Sequence, residues 1–419
     1  MLGATLCVAL TICSRNFGDR GGPLFMTSLA VAGIAYLLAI REFFATPGFS
    51  RRVVVIGLIL AAVWHIEFLR VPAGAEEDIY RYVWDGRLQR LGYNPYLVIP
   101  SNPAAKWMHT PGTRNMSSPD LPSPYPAGAQ LFFRAVTAIH ESTFAFKAAF
   151  VICDLAIVLV LLDLLRFSQQ GTHLVLAYAW NPLLAIEVAG SGHIDIVCAL
   201  LLVMSAAALG RRWRVTAAVT LALAIAVKLL PLVLIPLYWK RLRIRDAALA
   251  AAVVALLYLP LLDHGRIPVG SLGTYLQSFR FNGPVFAALN HVAPPSLLAG
   301  LAVLVGFVTA ICLRSASSER PSNFFAWPMA ASLLCAPVVF PWYLLSLLPF
   351  LTSASSLLII IWTVSIIPVY VEWHLRALRH SWGPLPNWVM LMEYGCMAIA
   401  GIIWLFRRRA PKNADGLSG

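Results

Sequence analysis

Nearly every residue is apolar from 53 to 71, where the sequence reads VVVIGLILAAVWHIEFLRV. A helix of about 20 apolar residues is long enough to cross the hydrocarbon core of a bilayer. The chain then turns polar and carries three consecutive carboxylates, Glu76, Glu77 and Asp78. This junction predicts a membrane-spanning helix that places acidic side chains at the membrane surface.

The same apolar character extends over the whole chain. Of its 419 residues, 59% are hydrophobic and 12% are charged, and the mean hydropathy is +0.74. Soluble domains have about 45–50% apolar and about 25% charged residues. The apolar residues form unbroken runs, which excludes a β-barrel, and the seven cysteines are isolated, which argues against a disulfide framework or a zinc ribbon. The composition predicts an all-α, polytopic membrane protein.

The apolar runs set the predicted organisation. They lie at roughly 1–13, 24–40, 53–71, 144–165, 174–189, 194–209, 215–238, 247–262, 297–313, 324–351, 356–371 and 389–406. The first run has neither a basic start nor a small-residue cleavage site, so we expect a retained helix and not a signal peptide. The predicted parts are N-terminal membrane helices (1–71), an extracytoplasmic catalytic loop with interfacial helices (72–143), membrane helices that include a broken or re-entrant pair (144–262), a second extracytoplasmic loop (263–296), C-terminal membrane helices (297–406) and a cytoplasmic tail (407–419).

Basic residues predict the orientation of the chain. The net charge is +13, and the Lys and Arg residues collect in short loops between apolar runs. This distribution is typical of membrane proteins, whose cytoplasmic loops are rich in basic residues. We therefore expect no nucleic-acid binding. Basic clusters at 211–214 and 240–245 flank the run 215–238, which contains Lys228 and Pro231. Both clusters are cytoplasmic only if that run is broken or re-entrant. The long run 324–351, hinged near Pro341, is interpreted in the same way, and the loops at 72–143, 190–193, 263–296, 341–343 and 372–388 then face outward.

The first long loop, 72–143, carries most of the candidate catalytic residues. If its start is helical, Asp78, Arg81, Tyr82 and Asp85 share one face. A carboxylate can bind an acceptor hydroxyl while a neighbouring arginine binds a phosphate, so the two side chains could hold both groups together. The alternative is a capped interfacial helix, in which Asp78 complements the helix dipole and Arg81–Asp85 is an ordinary pair.

Three further places collect polar residues on the same predicted side. They are the turn at 190–195 (GSGHID), Lys228 inside an apolar run, and Pro341-Trp342-Tyr343. An ionisable residue within the membrane is by default a functional hypothesis. The alternatives are a solvated boundary turn, a snorkelling lysine and an aromatic belt. We find no phosphate-binding loop, dinucleotide fingerprint or zinc-protease motif, which argues against an ATP-driven machine and a metalloprotease.

These motifs together resemble the GT-C superfamily of integral membrane glycosyltransferases. More narrowly, the chain is similar to bacterial polyprenyl-phosphate-mannose-dependent mannosyltransferases of the glycosyltransferase family eighty-seven type, and to the catalytic subunit of the first mannosyltransferase in GPI assembly. The matching segments are DIYRY (78–82), WDG (84–86), NPY (94–96), PYP (124–126), WNP (180–182), GHID (192–195), VKLLP (227–231), FN (281–282) and PWY (341–343).

The resemblance implies a GT-C type fold with roughly 11–13 transmembrane helices and a large first extracytoplasmic loop that carries the catalytic carboxylate. That carboxylate falls on Asp78, which would act as the general base of a single inverting displacement. The leaving phosphate needs preorganised cations or donors, for which Arg81, Lys228, His193 and then Arg280 are candidates. The predicted substrate-binding residues are Glu77, Arg81, Tyr82, Asp85, Tyr125, His193, Asp195, Lys228, Arg280, Asn282, Trp342 and Tyr343.

The implied activity is transfer of a sugar, most simply mannose, from a polyprenyl-phosphate donor to a hydroxyl of a glycolipid or glycan. Membrane lipids are the other expected partners. We expect no cofactor and no metal, and a location in the bacterial inner membrane with the active site outside. The alternatives are polyprenyl-phosphate glucose or arabinose as donor, a lipid or sugar transporter or flippase, and a scaffold.

Overall fold

The protein is described by a computed structural model of residues 1–74, 77–315, 324–380 and 382–409. Glu76 and the last ten residues of the predicted tail lie outside the described residues. The described chain is helical, and its β-type pairing consists of isolated bridges such as those of Phe281 and Asn282 with Val338. This confirms the predicted all-α class.

The chain contains both long helices of membrane-spanning length and short helical turns between them. The α-helices are α1 (Leu2–Arg15), α2 (Pro23–Ala45), α3 (Arg51–Leu69), α4 (Asp78–Arg90), α5 (Ala127–Ile139), α6 (Thr143–Phe167), α7 (Val175–Ala179), α8 (Asp195–Gly210), α9 (Arg214–Val227), α10 (Ile235–Tyr238), α11 (Ile244–Tyr258), α12 (Leu272–Ser278), α13 (Pro284–Leu289), α14 (Pro295–Leu313), α15 (Ala326–Cys335), α16 (Leu357–Ser365), α17 (Val371–Arg379) and α18 (Asn387–Arg409). A π-helix covers Leu184–Ser191. Short 3₁₀ helices cover Phe17–Asp19, Pro103–Met108, Thr113–Asn115, Thr172–Leu174, Leu230–Leu234, Leu259–Leu261, Pro341–Ser346, Leu348–Phe350, Ala354–Ser356 and Ile367–Tyr370.

Seven helices of the described residues are long and apolar enough to cross a membrane, or eight if one bent pair counts as a span. They are Pro23–Ala45, Arg51–Leu69, Thr143–Phe167, Ile244–Leu261, Pro295–Leu313, Ala354–Arg379 and Asn387–Phe406. The chain is thus a multi-pass membrane protein, as predicted. The other predicted spans correspond to apolar helices of 10–17 residues, or to broken ones.

Prolines and polar side chains explain the broken helices. The bent pair joins Thr172–Ala179 to Leu184–Ser191 at 59°, with Pro182 at the break. Asn181 stabilises this bend, because its side chain accepts from the Leu183 N–H at 3.0 Å and donates to Thr363 at 2.9 Å. A proline inside a helix removes a backbone donor and clashes with the preceding turn.

A second break lies at Lys228. Helix α9 ends at Val227, Lys228 is extended (φ −144°, ψ 143°), and a 3₁₀ turn that contains Pro231 follows. Residues 212–216 line one common cleft with Arg243, Arg245 and Asp246, so the two basic clusters lie together. This proximity favours the predicted broken pair, whose orientation in the bilayer stays a prediction.

Helix α4 is buried although its sequence is polar. It packs against α5, and Gly86 permits the close approach, since a Cβ there would lie 2.5 Å from the Phe133 carbonyl oxygen. Arg81, Tyr82 and Asp85 are all buried on this helix. The expectation of a helix that carries these residues is confirmed. Asp78 begins the helix, as the capped-helix alternative also requires, but Arg81 donates to backbone carbonyls and Asp85 accepts from Ser123 and Gln130.

Candidate active site

Asp78 is the first residue of α4 and is partly exposed. The Ser117 hydroxyl donates to its Oδ1 at 3.3 Å. The charge of this carboxylate acts on the phenols of Tyr82, Tyr125 and Tyr275, which therefore lie near it. Burial raises the pKa of all three phenols, and the negative charge of Asp78 raises them further. Asp78 therefore lies at the start of a helix, open on one side and lined by neutral hydroxyl groups.

Lys228 brings a cation to the same tyrosines. Its Nζ lies 3.0 Å from Oδ2 of Asp195, the first residue of α8. It also lies 5.7 Å from the ring centre of Tyr125 and 5.1 Å from that of Tyr343. Since Tyr125 neighbours both Asp78 and Lys228, the structure brings the predicted base and one predicted cation to a single cluster.

The turn at 192–195 adds His193 to this cluster. Gly192 has φ +80°, a conformation that L side chains rarely adopt, and a Cβ there would lie 2.6 Å from Ile79. His193 Nε2 lies 3.1 Å from Glu187 Oε2, and its Nδ1 is buried with no hydrogen-bond partner among the described residues. Burial lowers the pKa of His193, but the adjacent Glu187 carboxylate outweighs that effect and raises it above its ordinary value.

An aromatic stack covers His193. We use this name for the rings of Phe281, Phe340, Trp342 and His193, which follow one another at centroid separations of 4.4, 4.3 and 4.0 Å. The His193 and Phe340 rings are both nearly parallel to Trp342 and do not contact each other, so they cover its opposite faces. Trp342 is 6% exposed. Both faces of the Trp342 ring are therefore occupied by neighbouring rings in this structure, and its predicted stacking on a sugar stays a prediction.

Glu77 has a supporting position. It is buried and forms an ion pair with Arg20, whose Nη1 donates to the Ser191 hydroxyl at 2.7 Å. The Arg20 guanidinium lies 4.5 Å from the centre of the Phe17 ring. This contact joins the start of α4 to the α1–α2 connection and to the 190–195 turn.

Arg81 and Asp85 hold the loop that carries Ser117 and Tyr125. Arg81 Nη2 donates to the carbonyls of Ser118 at 3.0 Å and Leu121 at 2.5 Å, while its Nη1 is buried with no hydrogen-bond partner among the described residues. Its predicted contact with phosphate stays a prediction. Asp85 is fully buried and accepts from Ser123 and Gln130, and burial raises its pKa to about 6.

Two predicted residues lie elsewhere. Arg280 is exposed, and it donates to the carbonyls of Leu276 and Phe279 at the end of α12. Asn282 is buried, and its side chain donates to Glu393 of α18 at 2.8 Å. These contacts fix the second long loop, and the predicted contacts of both residues with substrate stay predictions.

Several residues of the site were not predicted. Arg20, Ser117, Lys147 and Tyr275 all contact the cluster or its supports, whereas Glu187 was expected to anchor the Ser191 turn and pairs with His193. Lys147 donates to the carbonyls of Phe68 and Val71 at the end of α3. Of these residues, only Lys147 had a signal in the sequence, because it is an ionisable residue inside the apolar run 144–165. The other residues lie in polar loops or at a turn, where polar side chains are common.

Comparison with known proteins identifies the family. Residues 11–241 match the MptA_B family model, described as alpha-(1→6)-mannopyranosyltransferase, N-terminal domain. The match covers more than half of the chain, which therefore belongs to this family of mannosyltransferases, and the resemblance seen in the sequence is confirmed. A solved structure, ArnT from Cupriavidus metallidurans bound to undecaprenyl phosphate, is similar with a TM-score of 0.48 at 15% identity, over 86% of this chain and 73% of that one. No curated protein matches the sequence.

Proposed function

We propose that this mannosyltransferase has a GT-C type fold and moves mannose from a polyprenyl-phosphate donor to a hydroxyl of a glycolipid or glycan acceptor, on the extracytoplasmic side of a bacterial inner membrane. One observation carries the proposal. Asp78 and Lys228 are both neighbours of Tyr125, so a carboxylate and a cation face one tyrosine-lined cluster between membrane helices.

Asp78 is the general base. It accepts the proton of the acceptor hydroxyl while that oxygen attacks the anomeric carbon, and the bond from that carbon to the phosphate oxygen breaks with its electron pair going to the phosphate. The Ser117 hydroxyl holds one carboxylate oxygen, which leaves the other for the acceptor. Polyprenyl phosphate is a good leaving group, so one carboxylate suffices, unlike the two of most glycoside hydrolases.

Lys228 stabilises the leaving phosphate. Its ammonium is paired with Asp195 and lies over Tyr343, and it is 19% exposed, so a phosphate can reach it from the open side. A preorganised cation at the point where negative charge grows lowers the barrier without reorganisation. His193 Nδ1, which is buried and unpartnered, is the second donor available to the phosphate.

The stereochemistry follows from the family description and the mechanism. An α-(1→6) product formed with one inversion requires a β-linked mannosyl donor, and the attacking group is then the primary C6 hydroxyl of a mannose unit. A primary hydroxyl is little hindered, so it can reach the Asp78 carboxylate at the start of α4. We therefore assign the donor as a β-linked polyprenyl-phosphate mannose.

Replacement of the base tests the proposal. Asp78→Asn should lower transfer from radiolabelled polyprenyl-phosphate mannose by about 100-fold or more. Asp120→Asn removes an exposed carboxylate from the same loop and should leave transfer unchanged. Unchanged transfer by folded Asp78→Asn protein would remove Asp78 as the base.

A panel of donors separates the alternatives. Polyprenyl-phosphate glucose and arabinose, offered beside mannose, should give little glycosylated product. A preference for either would move the assignment to another sugar. Movement of the lipid across vesicles without formation of a glycosidic bond would instead support a flippase.

A further inference from the structure

A strongly basic cleft lies apart from the proposed active site. It has a volume of about 500 Å³ and opens where α9 and α11 begin, next to each other. Its charged lining comes from Arg212, Arg214, Arg243 and Arg245, together with Asp246. The proposed reaction does not use this cleft.

The cleft has a clear excess of positive charge. Asp246 is the one carboxylate among the described residues that line it, and it is 1% exposed. Its Oδ2 accepts from the Arg243 backbone N–H at 2.9 Å, which caps α11, while its Oδ1 lies 3.6 Å from Arg245 Nε. The Arg245 side chain is 73% exposed. Four guanidinium groups therefore face a space that one buried carboxylate does not neutralise, which fits an anion.

The surroundings place the cleft at the depth of lipid headgroups. Trp213, Trp239 and Ile244 are 59%, 64% and 90% exposed and lie at the same end of the helices. Exposed tryptophans beside arginines at helix ends are typical of the membrane–water interface. Helix α11 packs against α9 and belongs to a candidate span of which only 17% is buried within the protein, so most of its apolar surface is open to lipid in a membrane.

We propose that this cleft binds the phosphate headgroup of an anionic phospholipid. Arg212 and Arg214 on one wall and Arg243 and Arg245 on the other ligate phosphate oxygens, for which the planar guanidinium is well suited. The acyl chains then lie along the exposed face of α11. Basic pockets between membrane helices bind headgroups of this kind, and a headgroup with two phosphates uses both walls.

Native mass spectrometry of the detergent-purified full chain tests the proposal. Phosphatidylglycerol, diphosphatidylglycerol and phosphatidylcholine are titrated against wild type, R212Q/R214Q and R243Q/R245Q. We expect wild type to retain the two anionic lipids and not phosphatidylcholine, and each double variant to lose anionic-lipid binding by about tenfold or more. R51Q/R52Q removes two exposed arginines from the start of α3 and is the matched control, with binding unchanged.

Two further measurements distinguish lost charge from misfolding and a bound lipid from a bound free phosphate. R212K/R214K retains the charge and should retain most of the binding, which shows that the glutamine variants fail through lost charge and not misfolding. Inorganic pyrophosphate should not displace the lipid at equal concentration. Retention of phosphatidylcholine, full binding by both glutamine variants, or displacement by pyrophosphate would each overturn the proposal.

Discussion

Lys228 Nζ lies 3.0 Å from Oδ2 of Asp195, across the gap between a helix break and the first residue of another helix. Asp195 is 3% exposed, so its charge depends on this partner. Lys228 is the more exposed of the two and is free to turn toward an incoming phosphate. The ion pair therefore holds the ammonium beside the rings of Tyr125 and Tyr343.

We expect Lys228→Met to lower mannosyl transfer by about 100-fold, because it removes a preorganised cation from the leaving phosphate. Lys106→Met, at an exposed lysine of the first long loop, is the control and should be neutral. The measurement is initial rate at saturating donor. A Lys228→Met protein that keeps its rate would show that another group stabilises the phosphate.

The same variant should also be less stable, since it leaves the Asp195 carboxylate buried without its partner. Removal of one member of a buried pair typically destabilises by about 3–5 kcal/mol. Lys228→Met/Asp195→Asn should recover much of the lost Tm without recovering activity. Recovery of both would mean that the pair is structural only.

Asp85 should make stability depend on pH. Burial raises its pKa from an ordinary 3.8 to about 6, so between these values the folded protein holds a proton that the unfolded chain releases. The free energy of unfolding must then fall as pH rises from about 4 to about 6, by up to about 3 kcal/mol, and stay low above that range. Asp85→Asn has no proton to lose. Its Tm relative to wild type should be higher at pH 7.5 than at pH 4.5, and a difference independent of pH would contradict the assignment.

Trp342 should act through packing. Trp342→Ala removes the ring between His193 and Phe340 and should destabilise the protein by about 3–5 kcal/mol. Trp342→Phe keeps a stacked ring, so it should lose less Tm and leave the KM for donor unchanged. A raised KM in the Phe variant at unchanged Tm would instead restore the sugar-stacking role that the sequence suggested.

Arg20 and Glu77 should behave as a coupled pair. Arg20→Met leaves the Glu77 carboxylate buried and unpaired, with an expected loss of about 3–5 kcal/mol. Arg20→Met/Glu77→Met should be more stable than Arg20→Met alone, because no buried charge is left. If the loss in Tm of Arg20→Met/Glu77→Met equals the sum of the losses of Arg20→Met and Glu77→Met, the two residues are not energetically coupled.

The fold could be predicted largely from the sequence, because apolar runs and helix-breaking prolines act locally. Lys228, Asp195 and His193 were also predictable, since ionisable groups beside apolar runs are expensive unless they are used. Arg20 was not, because it stands in a short polar connection and its partner Glu77 is 57 residues away. Arg280 and Trp342 were assigned to substrate on residue type, and their backbone and ring neighbours, which local sequence does not specify, gave them other contacts.

The aromatic stack unites early and late portions of the polypeptide. His193 belongs to the segment matched by the family model, which ends at 241, whereas its covering ring comes from position 342. During synthesis, Trp342 follows Lys228 by 114 residues and His193 by 149 residues, so both polar groups leave the ribosome well before the aromatic rings that pack on them. A product that stopped at 241 would thus contain the ionisable residues of the proposed site, His193 and Lys228, without the rings of Trp342 and Tyr343 that pack on them.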